Sequence, residues 1–321
     1  MNNTFQEIGN VLLNSENILL YPHLNMDGDA MGSAVALCRV LRSAGKNCYV
    51  LIEDKVPDNL AFMDHGYCTM DQNIMGSPDV SVCVDCGDEG RFPARVDKFR
   101  TSKLTVCIDH HRTTENFCDY NCVDPGSAAT GQLIFKLIKE MNLPIDKETG
   151  EALFAAITTD TGNFQYSNTT EETHRIVAEL YESGIEANKV SVAIYENNSI
   201  QRLMVNGKIL ETLETILDGK CALCYVTQAM LEETGAMMEE TEGIVQQLRA
   251  LAGVEVAVFL KEKDENTTKV SMRSKSYADV AEIAASFGGG GHVRAAGATI
   301  NHSVTESLEI IKQKLIESLG A

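Results

Sequence analysis

No stretch of this chain reaches the ~18 consecutive apolar residues of a membrane span, which excludes a transmembrane helix. The N-terminus, Met1-Asn2-Asn3-Thr4-Phe5-Gln6-Glu7, has no basic region followed by an apolar core. It does not read as a secretory signal, so a cytosolic protein is expected. Positive charge is scarce: 27 Lys and Arg stand against 46 Asp and Glu, a net charge of −19. Binding along long nucleic acid needs many basic contacts to phosphate and is excluded as an expectation. A short anionic substrate is not excluded, because bound divalent metals reverse the local field. There is no internal repeat, and the only low-complexity stretch is Gly288–Gly291. The ten cysteines form no metal knuckle. Cys83-x-x-Cys86 and Cys221-x-x-Cys224 lie inside apolar, strand-like runs far apart in the chain, so they read as reduced, buried hydrophobes.

With 321 residues, 44% of them hydrophobic, the chain is long enough for two globular domains. Residues 17–21, 48–52, 80–84 and 104–108 are short, continuous apolar runs, the pattern of buried parallel strands. Between and after them, residues 30–44, 126–141, 147–158 and 170–183 read as helices. This βαβ alternation predicts an α/β domain over residues 1–187, with a mostly parallel sheet flanked by helices. Residues 188–207 read as a helical linker. Residues 208–321 read as a smaller α+β domain. It opens with a hairpin turning at Asp218-Gly219-Lys220 and continues with a helix over 239–251, strands over 254–261 and 268–273, and a helix over 278–287. It closes with a helix announced by the capping box Ser303-Val304-Thr305-Glu306.

The chemistry-bearing residues cluster where these apolar elements end. His23-x-x-x-Asp27-Gly28-Asp29 follows the first strand, Asp85 the third and Asp109-His110-His111-Arg112 the fourth, while Asp160 follows Ala155-Ala156-Ile157. Each segment alone has a bland reading: a turn feeding a helix, an exposed strand end, a structural histidine. Together they place carboxylates and imidazoles at one edge of a sheet, where α/β domains bind ligands. Mixed nitrogen and oxygen donors suit Mn²⁺ or another mid-row ion better than Ca²⁺, and a pair of such ions is a standard device for cleaving phosphate esters. Gly28 is expected to supply backbone angles that a side chain would forbid. Adjacent residues on an extended segment point to opposite sides, so His110 toward a metal sends His111 elsewhere, with Asp109 orienting a histidine. In the second half, Arg273 and Ser274 end a strand, and Gly288, Gly289, Gly290 and Gly291 with His292 and Arg294 follow a helix. Glycines let backbone N–H groups approach a phosphate closely, and Arg273 can grip one through two hydrogen bonds.

With these motifs in place, the chain resembles the DHH–DHHA1 phosphoesterases over nearly its full length. His23 through Ala30 is similar to that family's first motif, Asp85 to its second, Asp109-His110-His111 to its third and Asp160 to its fourth. Gly288–His292 with Ala295-Ala296-Gly297 resembles the signature of its C-terminal substrate-binding domain. The resemblance implies a catalytic DHH domain and a DHHA1-like domain with the active site in the cleft between them. One divalent metal is implied on His23, Asp27 and Asp85, and a second on Asp29, Asp85, His110 and Asp160. Mn²⁺ is the expected ion, with Mg²⁺ or Co²⁺ as alternatives. His111, Asp109 and Asp85 would serve catalysis. Arg112, Arg273, Ser274, the four glycines, His292 and Arg294 would hold substrate. Gln132 stands where glutamate is common in the family, outside the implied ligand set. The two-domain length points to the branch that degrades very short RNA and converts 3′-phosphoadenosine 5′-phosphate (pAp) to AMP, acting alone or as a homodimer. A linear or cyclic dinucleotide phosphodiesterase and a non-catalytic nucleotide sensor are the competing readings. A sensor should have lost a metal ligand, and none is lost.

Overall fold

The computed structural model describes residues 2–320. The chain divides into two compact units between Asn197 and Asn198.

In the first unit, six strands form one sheet: β1 (Asn17–Tyr21), β2 (Asn47–Leu51), β3 (Cys68–Thr69), β4 (Val80–Val84), β5 (Leu104–Asp109) and β6 (Tyr120–Val123). Their order is β3-β2-β1-β4-β5-β6, and every pairing is parallel. All five residues of β4 are buried, as expected for a strand covered on both faces. The order reverses between β1 and β4, the kind of switch point at which α/β sheets bind ligands.

Seven helices belong to this unit: α1 (Phe5–Leu13), α2 (Gly28–Ser43), α3 (Val96–Phe99), α4 (Thr130–Glu140), α5 (Lys147–Asp160), α6 (Glu171–Glu182) and α7 (Ala187–Tyr195). The larger core packs α2, α4 and α5 against one face of the sheet. A smaller one gathers Tyr21, Phe92, Phe99, Cys83, Cys86 and Cys107 on the other. Helices α2 and α5 lie very close. A Cβ on Gly28 would stand 2.4 Å from Thr159 Cγ2, and one on Gly32 would stand 2.4 Å from the Ala152 carbonyl oxygen. This corrects the sequence expectation for Gly28. It opens α2 with no positive φ, and its missing side chain serves helix packing rather than a turn.

The second unit also holds a six-stranded sheet: β7 (Glu214–Ile216), β8 (Cys221–Val226), β9 (Val256–Asp264), β10 (Thr267–Ser274), β11 (Gly290–His292) and β12 (Ala295–Ile300). The order is β11-β12-β10-β9-β8-β7, antiparallel except for β8 with β9. The hairpin β7–β8 turns through Leu217, Asp218 and Gly219, all at positive φ. Its helices are α8 (Ile200–Glu211), α9 (Gln228–Thr234), α10 (Ile244–Ala250), α11 (Val280–Ala285) and α12 (Val304–Leu319), the last opened by the capping box at Ser303. Apolar residues of α11 and α12 cover one face of the sheet and those of α8, α9 and α10 the other. Cys221 and Cys224 belong to these two separate cores, so they share no site.

Two elements differ from expectation. The helix expected over 239–251 is broken at Gly243, φ 97°, into a 3₁₀ turn and α10. The glycine run is no open loop: Gly290–His292 forms β11, paired with β12. The segment expected as a linker comprises α7, in the first unit, and α8, in the second.

Candidate functional site

Four segments of the first unit converge at the carboxyl ends of β1, β4 and β5. His23 follows β1. Asp27 is the N-cap of α2, its Oδ1 accepting from the N–H groups of Asp29 and Ala30, and Asp29 lies in that helix's first turn. Asp85 follows β4 at φ 59°, a left-handed conformation that costs a non-glycine residue energy and recurs at functional sites. Asp109 closes β5, with His110 and His111 beyond it. Asp160 ends a helix, α5, rather than a strand.

The two inner histidines are held alike. His23 Nδ1 lies 2.8 Å from the Leu24 carbonyl oxygen, and His110 Nδ1 lies 3.1 Å from that of Ser127. A carbonyl only accepts, so each Nδ1 carries a proton and each ring turns its Nε2 inward. His23 Nε2 lies 3.7 Å from Asp27 Oδ1 and 3.6 Å from Asp85 Oδ2. His110 Nε2 lies 3.8 Å from Asp29 Oδ2, 3.7 Å from Asp85 Oδ1 and 3.6 Å from Asp160 Oδ2. These gaps are too long for hydrogen bonds and short enough to share a cation. Asp85 therefore offers one oxygen to each histidine. Two ligand sets result, His23 with Asp27 and Asp85, and Asp29 with His110 and Asp160, the donor atoms of each set within 4.8 Å of one another.

A third grouping, of Asp85, His110 and His111, is geometrically close. It is the weaker metal site, because His111 Nδ1 is committed to Asp109 Oδ1 at 2.8 Å. That hydrogen bond, with nearby carboxylates, raises the His111 ring to about 9. Asp109 is fully buried. It also accepts from the His110 N–H at 2.8 Å and from the Thr114 hydroxyl. Burial opposes its ionisation, but His111 and Thr114 outweigh burial and hold it below the usual carboxylate range.

The charge balance tests whether cations fit. Burial first, then mutual repulsion, pushes Asp29 well above its ordinary value, raises Asp85, and lifts Asp160 to about 6. Within this unit the groups facing these three carboxylates are imidazoles, hydroxyls and backbone N–H groups. Buried carboxylates at this density stay ionised only with positive charge among them. Mixed imidazole and carboxylate donors suit mid-row divalent ions. The residues present fit such a group.

Comparison with known proteins identifies the family. A family model described as DHH family, N-terminal domain, matches residues 17–157, and the DHHA1 domain model matches residues 218–320. The bifunctional oligoribonuclease and PAP phosphatase NrnA of Thermus thermophilus is 32% identical over 93% of this chain and 90% of that protein. The chain belongs to the DHH family. The Bacillus subtilis protein of the same name is 26% identical over 89% of this chain and 90% of its own length. The crystal structure of an exopolyphosphatase-related protein from Bacteroides fragilis superimposes with a TM-score of 0.92 at 27% identity. That match covers 98% of this chain and 95% of the other.

In the DHHA1 domain the expected substrate residues gather at one end of the sheet. Arg273 pairs in register with Ala295, and Ala295 with His292, so the three form a row across β10, β12 and β11. Ser274 is buried, and its hydroxyl donates to the Val293 carbonyl at 3.4 Å. Arg294 Nη1 donates to the Ala278 carbonyl at 2.7 Å. A Cβ on Gly289 would stand 2.2 Å from the Gly297 carbonyl oxygen, so the chain entering β11 packs closely on β12. Arg112 is exposed on the turn after His111, in the first unit.

Sequence reasoning missed the residues that hold this DHH site in place. The N–H groups of Thr130 and Gly131 donate to Asp29 at 2.7 and 2.9 Å, and Ser33 Oγ donates at 3.0 Å. Asn168 Nδ2 bridges the carbonyls of Ala128, at 2.9 Å, and Asp160, at 3.0 Å. A signal existed in Ala129-Thr130-Gly131. The N-cap of α4 is alanine, which cannot cap, so the helix must find an acceptor elsewhere. Gln132, where the family commonly has glutamate, is buried, and its Oε1 accepts the Ala128 N–H at 2.6 Å. It serves the start of α4, not the ligand cluster.

Proposed function

We propose that this chain is a divalent-metal-dependent phosphoesterase that hydrolyses very short oligoribonucleotides to mononucleotides and pAp to AMP. The observation carrying the reading is Asp85, which directs Oδ2 toward His23 and Oδ1 toward His110. The relatives named oligoribonuclease and PAP phosphatase support the choice of substrates. His23, Asp27 and Asp85 would hold one ion and Asp29, Asp85, His110 and Asp160 the other, with Mn²⁺ favoured by the mixed donor set. When bound, such ions lower the pKa of water and stabilise charge on phosphate oxygens.

The chain's own residues do the rest. Asp85 holds both ligand sets in one register. Asp109 fixes the His111 ring, and its hydrogen bond favours the protonated imidazole, so His111 would meet the scissile phosphate as a donor. Arg112 lies on the same turn and adds charge there. Arg273, His292, Arg294 and the Gly288–Gly291 backbone hold the remainder of the nucleotide, with Ser274 bracing the strand end through Val293. Among the described residues no helix is long and apolar enough to cross a membrane. All ten cysteines are free thiols, in keeping with a cytosolic setting.

The deciding experiment is one turnover assay with added Mn²⁺ on pAp, a diribonucleotide, a 24-nucleotide RNA and pyrophosphate. Turnover of the first two, with the 24-mer much slower and pyrophosphate untouched, is expected. Turnover confined to the dinucleotide would move the assignment to a dinucleotide phosphodiesterase. No turnover of any substrate would overturn the enzymatic reading.

A further inference from the structure

We propose that Tyr277 is a nucleobase platform, its ring stacking on a base of the substrate beside the arginines of the second unit. The inference rests on the phosphoesterase reading and adds to it a residue that recognises the base rather than the phosphate. It starts from an incongruity between backbone and side chain. Tyr277 is 61% exposed, among the most exposed aromatic rings in the chain. Its backbone, by contrast, is hydrogen-bonded into the unit.

The clamp is Glu255, a carboxylate buried at 5% exposure just before β9. Glu255 accepts from the N–H groups of Ser276 at 3.0 Å, Tyr277 at 2.7 Å and Ala278 at 2.8 Å, and from the Ser276 hydroxyl at 2.7 Å. Burial alone would raise this carboxyl, but those donors outweigh it and hold Glu255 below its ordinary value. The Lys275 N–H donates to the Glu255 carbonyl at 2.8 Å. On the far side, Asp279 caps α11, and the Val280 N–H donates to the Val293 carbonyl at 3.0 Å. Ala278 is buried in the core, and its carbonyl receives Arg294 Nη1. The backbone on both sides of Tyr277 is therefore tied down while its ring projects outward.

Burying a carboxylate is costly unless it is fully hydrogen-bonded. A surface loop with no task has no need of three successive N–H groups gathered onto one. The arrangement makes sense where a ring must wait in one place, because a preorganised group loses little entropy on binding. Tyrosine has only two side-chain torsions to fix.

The surroundings say what the ring meets. The loop closes against Val293 and Arg294 through the Ser274 N–H, which donates to the Arg294 carbonyl at 3.0 Å. Arg273 and Arg294 thus stand at the two strand ends beside it, with Lys275 within the loop and His292 at the end of β11. Arg273, Arg294 and Lys275 bring three cations to this end of the sheet, offset in part by the clamping Glu255 and by Asp279 of the same loop. Arginines binding phosphate beside an exposed aromatic ring is the pattern of single-nucleotide recognition, in which the ring stacks on a base of any identity. A protein-docking role would need an apolar patch around the ring. Its exposed chain neighbours, Lys275, Ser276 and Asp279, are polar, and Val293 is the exposed apolar side chain that the structure ties to this loop.

The chain contains no tryptophan, which allows a clean test. Tyr277→Trp would carry the only indole in the protein. Tyr181→Trp, on exposed α6 of the first unit, serves as control. AMP should quench the Tyr277→Trp emission and leave Tyr181→Trp unchanged. Ribose 5-phosphate, which lacks the base, should quench neither. In parallel, Tyr277→Ala should raise KM for a diribonucleotide about tenfold, the size of one lost stack, with kcat close to wild type. Tyr277→Phe should restore KM, since stacking needs no hydroxyl. The ring lies outside the core, so unfolding midpoints should not move. Emission of Tyr277→Trp indifferent to AMP at concentrations that inhibit the wild-type enzyme would overturn the platform. So would an unchanged KM in Tyr277→Ala. In either case wild-type turnover would leave the phosphoesterase reading standing. If the wild type turned nothing over, that reading would fail while the AMP titration still judged Tyr277 as a nucleotide contact.

Discussion

Thr130 Oγ1 donates a hydrogen bond to Asp85 Oδ1 at 2.8 Å, and both residues are buried. The same threonine gives its N–H to Asp29. One residue at the start of α4 therefore braces a carboxylate from each of the two ligand sets. Groups that orient metal ligands typically change metal affinity by about 10–100-fold when removed. Thr130→Val keeps the shape and removes only the hydroxyl. Its Mn²⁺ affinity, read by calorimetry and by activity against metal concentration, is expected to fall within that range, with activity regained at high Mn²⁺. Unchanged affinity would show that the contact is structural only.

Asp85 itself should be the least replaceable ligand. Asp27→Asn or Asp160→Asn disturbs one set of donors, whereas Asp85→Asn disturbs both. We expect Asp85→Asn to lose at least ~10³-fold in turnover, because electrostatic stabilisation of this kind is commonly the dominant catalytic contribution. The single-set variants should retain more. Circular dichroism of all three should match wild type. If Asp85→Asn proved milder than Asp27→Asn, the shared position of Asp85 would have to be abandoned.

The strand ends were readable in sequence because buried parallel strands are unbroken apolar runs, and a charged residue closing such a run has to face a ligand or solvent. His23, Asp85 and Asp109-His110 were found in that way. Asp160 follows a segment that reads as a helix, 147–158, and α5 delivers it as its last residue. Of the bracing groups, the uncapped start of α4 signals that Thr130 needs an acceptor without saying which, and Ser33 and Asn168 carry no signal at all. Small polar residues are common, and only the fold brings residue 130 to residues 29 and 85. Gly28 looked like a turn glycine because the closeness of α2 to α5 is a tertiary fact, invisible in a local pattern. The strand at Gly290–His292 is invisible in the glycine run because β11 owes its pairing to β12, not to any strand propensity of glycine.

Stability should depend on pH through Asp79, at the entry to β4. Its Oδ2 accepts from the N–H groups of Glu16 and Asn17 at 3.1 and 2.9 Å, and its Oδ1 meets Lys103 at 2.7 Å. The Lys103 contact first, then these N–H groups, lower its carboxyl to about 2. Unfolded, the group titrates near ~3.9. A depressed folded value contributes stability above the unfolded value and loses it as pH falls through the folded one. Asp79→Asn should therefore destabilise the protein by about 1–2 kcal/mol at pH 7. The difference should narrow below about pH 4, roughly halve by pH 3 and vanish below about pH 2. Urea unfolding of both proteins across that range checks it. A difference that stays constant with pH would mean that the charge on Asp79 contributes nothing.

The last prediction separates nucleotide holding from chemistry through Arg273. This residue ends β10 in the second unit, in the same row as His292, while the carboxylate cluster lies in the first. If Arg273 grips a phosphate other than the scissile one, its charge-assisted hydrogen bonds matter only for substrates that carry such a phosphate. Truncating one partner of such a pair typically costs about 2–5 kcal/mol, so Arg273→Ala should lower kcat/KM on a 5′-phosphorylated dinucleotide by about 30-fold or more. Where the grip also aligns the substrate, part of that loss falls on kcat. Bis-p-nitrophenyl phosphate has a single phosphate and nothing for Arg273 to hold, so its hydrolysis should change little. Mn²⁺ affinity should be unaltered, because no ligand has been touched. Equal losses on both substrates would place Arg273 in the chemistry or in the fold, and a thermal unfolding curve would tell these apart. No loss on either would mean that the end of this sheet does not hold substrate, and the second unit's share of the proposed function would have to be withdrawn.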